Sequence, residues 1–190
     1  LRLFAQESMR AKKDGLVWLE RAGAAGEARA AYEAGRFYLK GIKGLCEQDE
    51  AKGFKLLTTA AGQPGPTKYV MAASNYLGQT CLEKSITDTS FDAEAVRHLE
   101  RAATLGHYEA QFTTALFFFT GERAGFVKDL KKATEYALMI PQDQMGRDNL
   151  LPMALLSSVV KKSKPKVREV EKLVDMVTQA HPELAPLLGP

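Results

Sequence analysis

The chain has 190 residues, 45% of them hydrophobic and 26% charged, which excludes an intrinsically disordered protein and any collagen-like or mucin-like composition. Ala and Leu number 26 and 23 against 10 Val and 3 Ile, so helix formers far outweigh strand formers and an all-β or parallel-sheet fold is excluded as the main architecture. Net charge is +3, yet residues 161–172 (KKSKPKVREVEK) alone carry a local +4, so the rest of the chain encodes no strongly basic nucleic-acid surface.

In chain order, residues 1–12 read as the first helix of an incomplete pair. Four later segments then align with one another: GLVWLERAGAAG (15–26), GFKLLTTAAGQP (53–64), AVRHLERAATLG (95–106) and ATEYALMIPQDQ (133–144). Between them lie AAYEAGRFYLKG (30–41), KYVMAASNYLGQ (68–79) and AQFTTALFFFTG (110–121). The distances Trp18 to Gly35, Leu56 to Ala73 and His98 to Ala115 are 17 residues each time. From Tyr38 to Leu56, Tyr76 to His98 and Phe118 to Tyr136 they are 18, 22 and 18, so all length variation falls in one connection, where a four-residue insertion is expected to form a surface loop.

Each segment has helical periodicity, with Tyr32, Arg36 and Leu39 at i, i+4 and i+7. Gly35, Ala73 and Ala115 permit close helix approach, and Tyr38, Tyr76 and Phe118 would fill the space one turn later. Gly26, Gly41, Gly106 and Gly121 stand just past helix ends, where a left-handed residue is easily accommodated. From 150 to 180 only helical periodicity persists, reading as a degenerate terminal pair.

The recurring Ala-x-x-x-small-Gly-x-x-Tyr-x-x-Gly, then Asp and Ala-x-x-aromatic-x-x-basic-Ala-Ala-x-x-Gly, resembles the Sel-one-like repeat, a longer relative of the tetratricopeptide repeat. Ala30, Ala34, Gly35, Tyr38, Gly41 and Asp49 carry it, as do Ala95, Arg101, Ala102, Ala103 and Gly106, and later Gly125, Asp129 and Ala133. The chain departs from the pattern at Lys68, at Gly53 and at Met139-Ile140-Pro141. The resemblance implies an all-α, right-handed solenoid of stacked antiparallel helix pairs. A single domain over 1–190 would comprise a partial repeat 1–26, repeats 27–65, 66–106 and 107–146, and a degenerate cap 147–181.

No chemistry is assembled by these residues. His98 shares its column with Trp18, Leu56 and Tyr136 and reads as packing, while His107 and His181 read as surface residues; no HExxH or CxxC suggests a metal. Cys46 and Cys81 fall in the expected A-to-B loops and read as isolated thiols. GQPGPTK (62–68) lacks the GK[ST] order, and its prolines remove the donors that cradle phosphate. Ser85, Asp88, Ser90 and Asp92 have no assignable base or orienting partner. The chain is therefore expected to be non-enzymatic, with no cofactor or metal. An intracellular setting is the first reading of compartment, an organelle lumen or mitochondrion the second.

In solenoids of this type the first helix of each pair usually lines the concave face. With the core columns assigned, the outward stripe is Tyr32, Arg36, Leu39 and Lys40, then Val70, Ser74 and Leu77, then Phe112, Leu116 and Phe119. It passes from basic-aromatic to apolar, a pattern that solvent-facing columns do not normally hold. The resulting expectation is a protein-interaction scaffold or complex subunit that takes a partner segment on this stripe, Arg36 and Lys40 orienting acidic residues. The other reading is an RNA-associated repeat protein using 161–172, whose binding would fall steeply with salt. Leu184–Leu188 could instead fold back over the stripe.

Overall fold

The computed structural model describes residues 2–121 and 125–140, with only the backbone described over 2–9. The expected cap at 147–181, the basic run 161–172, the apolar tail and His181 lie outside the described residues. The elements are α1 (Arg2–Ala24), α2 (Ala28–Lys40), α3 (Glu50–Gly62), α4 (Lys68–Lys84), a 3-10 turn (Thr89–Phe91), α5 (Asp92–Thr104), α6 (Tyr108–Thr120) and α7 (Leu130–Leu138). The fold is all-α, built of helix pairs, and an isolated bridge between Ile42 and Cys46 is the extended pairing found among the described residues.

Helix boundaries follow local chemistry that recurs with the repeat. Asp49 caps α3 by accepting from the Lys52 N–H at 2.9 Å, and Asp129 caps α7 by accepting from those of Lys131 and Lys132 at 2.9 and 3.0 Å. The same two aspartates donate their own backbone N–H to Tyr38 O and Phe118 O, tying each loop back to the preceding helix. Gly41 and Gly121 end α2 and α6 at φ +63° and +67°, and an added Cβ there would also press on Gln48 or Lys128.

Two expectations are corrected. Residues 2–24 form one continuous helix, so residues 1–12 do not make a separate first helix; no glycine or proline stop interrupts a good helical stretch there, and Gly15 alone is tolerated. The four-residue insertion is not a surface loop. It lengthens α4 to 17 residues against 13 in α2 and α6, because four residues make about one extra turn and this turn buries Cys81 and Leu82. Cys81 is thus a helix residue rather than a loop residue. Phe91, where the equivalent positions hold capping aspartates, makes no side-chain cap, and Asp88 caps the 3-10 turn instead.

The chain divides into two compact units, Leu1–Thr80 and Cys81–Pro190, with the boundary inside α4. In the first unit Ala31, Leu39, Leu57, Ala60, Ala61, Ala73 and Leu77 form one cluster, and Leu16, Ala34 and Leu56 another. Small residues let the backbones approach: a Cβ on Gly35 would lie 2.7 Å from Leu57 Cγ and 3.1 Å from the Gly53 carbonyl oxygen. In the second unit Ala102, Ala103 and Ala110 pack under Tyr136, whose ring stacks on Phe118 at 6.0 Å.

Each unit repeats one polar latch. Lys52 Nζ meets Glu20 at 2.9 Å and lies 4.0 Å from the Tyr38 ring centre, with the Tyr38 hydroxyl donating to Glu20. Lys132 Nζ meets Glu100 at 2.7 Å and lies 4.6 Å from the Phe118 ring centre. Phe118 has no hydroxyl, and Tyr136 donates to Glu100 in its place at 3.1 Å. Burial first, then the Glu100 charge and that bond, push the Tyr136 phenol up to about 12.

Candidate functional site

On α2 the spacing of Arg29, Tyr32 and Arg36 at i, i+3 and i+7 sets three side chains along one face. On α4 Tyr69 and Tyr76 repeat the same seven-residue step. The two rows meet in the first unit. The Tyr32 and Tyr69 ring centres are 6.0 Å apart and tilted by 49°. Arg36 lies over both Tyr32, at 5.3 Å, and Tyr76, at 5.9 Å. Arg29 lies over Tyr69 at 5.8 Å, and the Lys68 ammonium approaches the same ring at 4.9 Å.

Each such contact contributes on the order of 0.5–1 kcal/mol at a partly exposed site, so the rings hold the cations in place without neutralising them. Arg36 is further steadied by Glu33 at 3.7 Å, and its Nε is enclosed without an acceptor. An arginine held over aromatic faces can still offer its forked guanidinium donors to a planar carboxylate, a geometry lysine cannot copy. Lys40, exposed one turn beyond Arg36, extends the positive strip. The arrangement sets cations beside aromatic faces on one side of the first unit. It contains no nucleophile or base poised for a reaction.

The expected stripe is only partly on the surface. Tyr32, Arg36 and Lys40 have accessible surface, and Phe112, Leu116 and Phe119 on α6 are half-buried in the second unit. Leu39 and Leu77 are corrected to core residues, since both sit in the Ala31–Leu57 cluster and Leu39 fills the notch above Gly53, whose Cβ would lie 2.7 Å from Leu39 Cγ. Val70 and Ser74 are likewise corrected: neither has accessible surface, and the Ser74 hydroxyl has no hydrogen-bond partner among the described residues. The reason is rotational. Tyr38 and Tyr76 were expected inside, yet they stand half-buried while the leucine one residue later turns inward.

Arg29, Lys68, Tyr69 and Tyr76 were missed as site residues. The i, i+7 pairing of Tyr69 with Tyr76 was visible, but nothing in one helix showed that Arg36 would reach across to the other. His98 is buried, and burial followed by the Arg97 charge lowers its pKa, which keeps it neutral and fits packing. Cys46 and Cys81 are free thiols; burial, then Glu94, raises Cys81 to about 11. Among the described residues no group of three or more His, Cys, Asp or Glu could hold a metal, and no helix is long and apolar enough to cross a membrane.

The family pattern described as Sel1 repeat matches residues 28–64, 72–107 and 109–139, more than half of the chain. The chain belongs to the Sel1 repeat family. Its fold is similar to that of a Sel1 repeat protein from Oxalobacter formigenes, with a TM-score of 0.54 and 24% identity over 71% of this chain and 93% of that one. It is also similar to a protective antigen present in uropathogenic Escherichia coli strains that displays an SLR fold, with a TM-score of 0.55 and 17% identity over 88% of this chain. That match spans 40% of the antigen's length. At these identities the likeness is one of fold alone. Among curated proteins none matches the chain. Sel1 repeats generally serve as protein-interaction scaffolds, and this Sel1 chain is read in that class.

Proposed function

We propose that the chain is a non-enzymatic protein-interaction scaffold that holds an acidic segment of a partner on the exposed side of α2 and α4. The observation that carries the reading is Arg36 lying over both Tyr32 and Tyr76 while Arg29 and Lys68 flank Tyr69. Rigid tyrosines supply contact area at low entropic cost, and the guanidinium supplies direction, the pairing that dominates binding hot spots. Lys40 extends the strip toward further partner carboxylates. Phe112, Leu116 and Phe119 on α6 would supply apolar anchors for a second part of the partner.

Peptide display against the intact chain tests this reading. Enriched sequences should contain Asp or Glu beside an aromatic or aliphatic anchor, and Arg36→Ala should weaken them by tenfold or more, about 1.4 kcal/mol. Selected peptides lacking acidic residues, or unaffected by Arg36→Ala, would refute the assignment. Binding should also weaken only modestly with salt, unlike a multi-phosphate nucleic-acid contact.

A further inference from the structure

The positive strip of the first unit is built twice. Arg29 of α2 lies over Tyr69 of α4 at 5.8 Å, and seven residues later Arg36 lies over Tyr76 at 5.9 Å. The two rings are also seven residues apart, so α2 and α4 run in the same direction through this contact and keep one register. Seven residues of helix rise about 10.5 Å, which sets the spacing of the two arginine–tyrosine steps. Tyr32 stands between them, 5.3 Å from the Arg36 guanidinium and 6.0 Å from the Tyr69 ring. Arg29 is exposed, and Arg36 is partly so. Glu33, which meets Arg36 at 3.7 Å, is itself partly exposed, and an i, i+3 ion pair of that kind is weak enough for an incoming carboxylate to displace.

A partner that places one carboxylate on each step must therefore repeat at that interval along one side of its chain. A β-strand returns to the same side every two residues, at about 6.6 Å and then about 13 Å, and misses it. A polyproline helix returns every three residues, at about 9.3 Å, but so thin a chain follows one row of side chains, and this strip is two rows, one from each helix. An α-helix returns after seven residues at the same pitch as α2 and α4, and its contact stripe is wide enough to reach both rows. We propose that the acidic segment held here is an amphipathic α-helix lying along α2 and α4. Its carboxylates are seven residues apart, and an apolar residue three or four positions after the first faces Tyr32 and Tyr69. The inference rests on the acidic-segment reading and adds the partner's conformation and spacing. Lys68, 4.9 Å from the Tyr69 ring, adds positive charge to the first step, and exposed Lys40 would meet a third carboxylate one turn beyond the second.

Fluorescence anisotropy with the intact chain and three labelled peptides tests the proposal. The first is an Ala-rich helix carrying Glu-x-x-Leu-x-x-x-Glu and held helical by a lactam bridge on its far face. The second is the same bridged helix with its glutamates five residues apart, which turns them to different sides. The third is unbridged and proline-rich, with its glutamates three apart. The seven-apart helix should bind at least tenfold more tightly than the other two. Arg29→Ala, an exposed position whose backbone N–H alone meets the Glu27 cap, should weaken that binding several-fold. Of the two single Glu→Gln versions of the peptide, one should become insensitive to Arg29→Ala and the other to Arg36→Ala. Equal affinity for all three peptides, or preference for the proline-rich one, with binding still lost in Arg36→Ala, would overturn the helical partner and leave the acidic-segment reading standing. Seven-apart binding that Arg29→Ala does not weaken would overturn it as well. Binding of none of the peptides, or binding indifferent to Arg36→Ala, would overturn both.

Discussion

Glycine-to-alanine substitutions at two helical positions should change stability in opposite directions, and the sign is set by what each methyl would meet. In an open helix the change is favourable by about 0.8–1 kcal/mol, because glycine loses more backbone entropy on folding. Gly15 has no heavy atom within 4 Å of its ideal Cβ, so Gly15→Ala should realise most of that gain. At Gly35 the methyl would lie 2.7 Å from Leu57 Cγ and 3.1 Å from both the Gly53 carbonyl oxygen and the Leu57 nitrogen. Leu57 is fully buried and two of the three contacts are backbone, so relief requires separating α2 from α3. Overpacking of this kind costs roughly 1–3 kcal/mol, and with backbone atoms among the clashes the upper part of that range applies, which outweighs the propensity gain and leaves Gly35→Ala less stable by roughly 1–2 kcal/mol. For a chain of this length 1 kcal/mol corresponds to roughly 2–4 °C, so thermal denaturation followed by circular dichroism should show a rise at Gly15→Ala and a fall at Gly35→Ala. A rise at both positions would refute the close α2–α3 approach. Gly35→Leu should be more damaging still.

Lys132→Met should cost only about 0.5–1 kcal/mol, because Lys132 and Glu100 are partly exposed, and the cost should shrink at high salt; a double-mutant cycle with Glu100→Gln measures the pair, and a coupling near zero at low salt would remove the latch. Burial lowers the folded pKa of His98 below its unfolded value near 6.5, so its contribution is present above about pH 6.5 and is lost as pH falls through that window, the unfolded chain binding the extra proton. His98→Leu, which matches Leu56 of the preceding repeat, should flatten part of that loss in pH-dependent denaturation, with His107, lowered by its own burial, retaining the rest; an unchanged slope would contradict a neutral buried imidazole. Thiol labelling at pH 8 should modify half-buried Cys46 first and reach fully buried Cys81, whose pKa is about 11, only on unfolding, and equal rates would place Cys81 at the surface.

What the sequence determined by itself is whatever a single repeat encodes locally. Helix type, the 17-residue spacing and the Gly41 and Gly121 stops were legible, while Asp49 and Asp129 stood out only as recurring positions of the repeat and the structure shows them as caps. Tyr32, Arg36 and Lys40 of α2 were legible as a basic-aromatic helix face for the same reason. The tertiary structure decided which of two adjacent apolar columns turns inward, because Leu39 enters the notch over Gly53 only once α3 is beside it. It decided that the insertion extends α4, since one turn of helix satisfies its own backbone and buries Cys81 and Leu82. It also separated Trp18 from Leu56, equivalent in sequence but opposite in exposure, because burial belongs to the neighbour that covers a residue and periodicity does not say whether that neighbour is there.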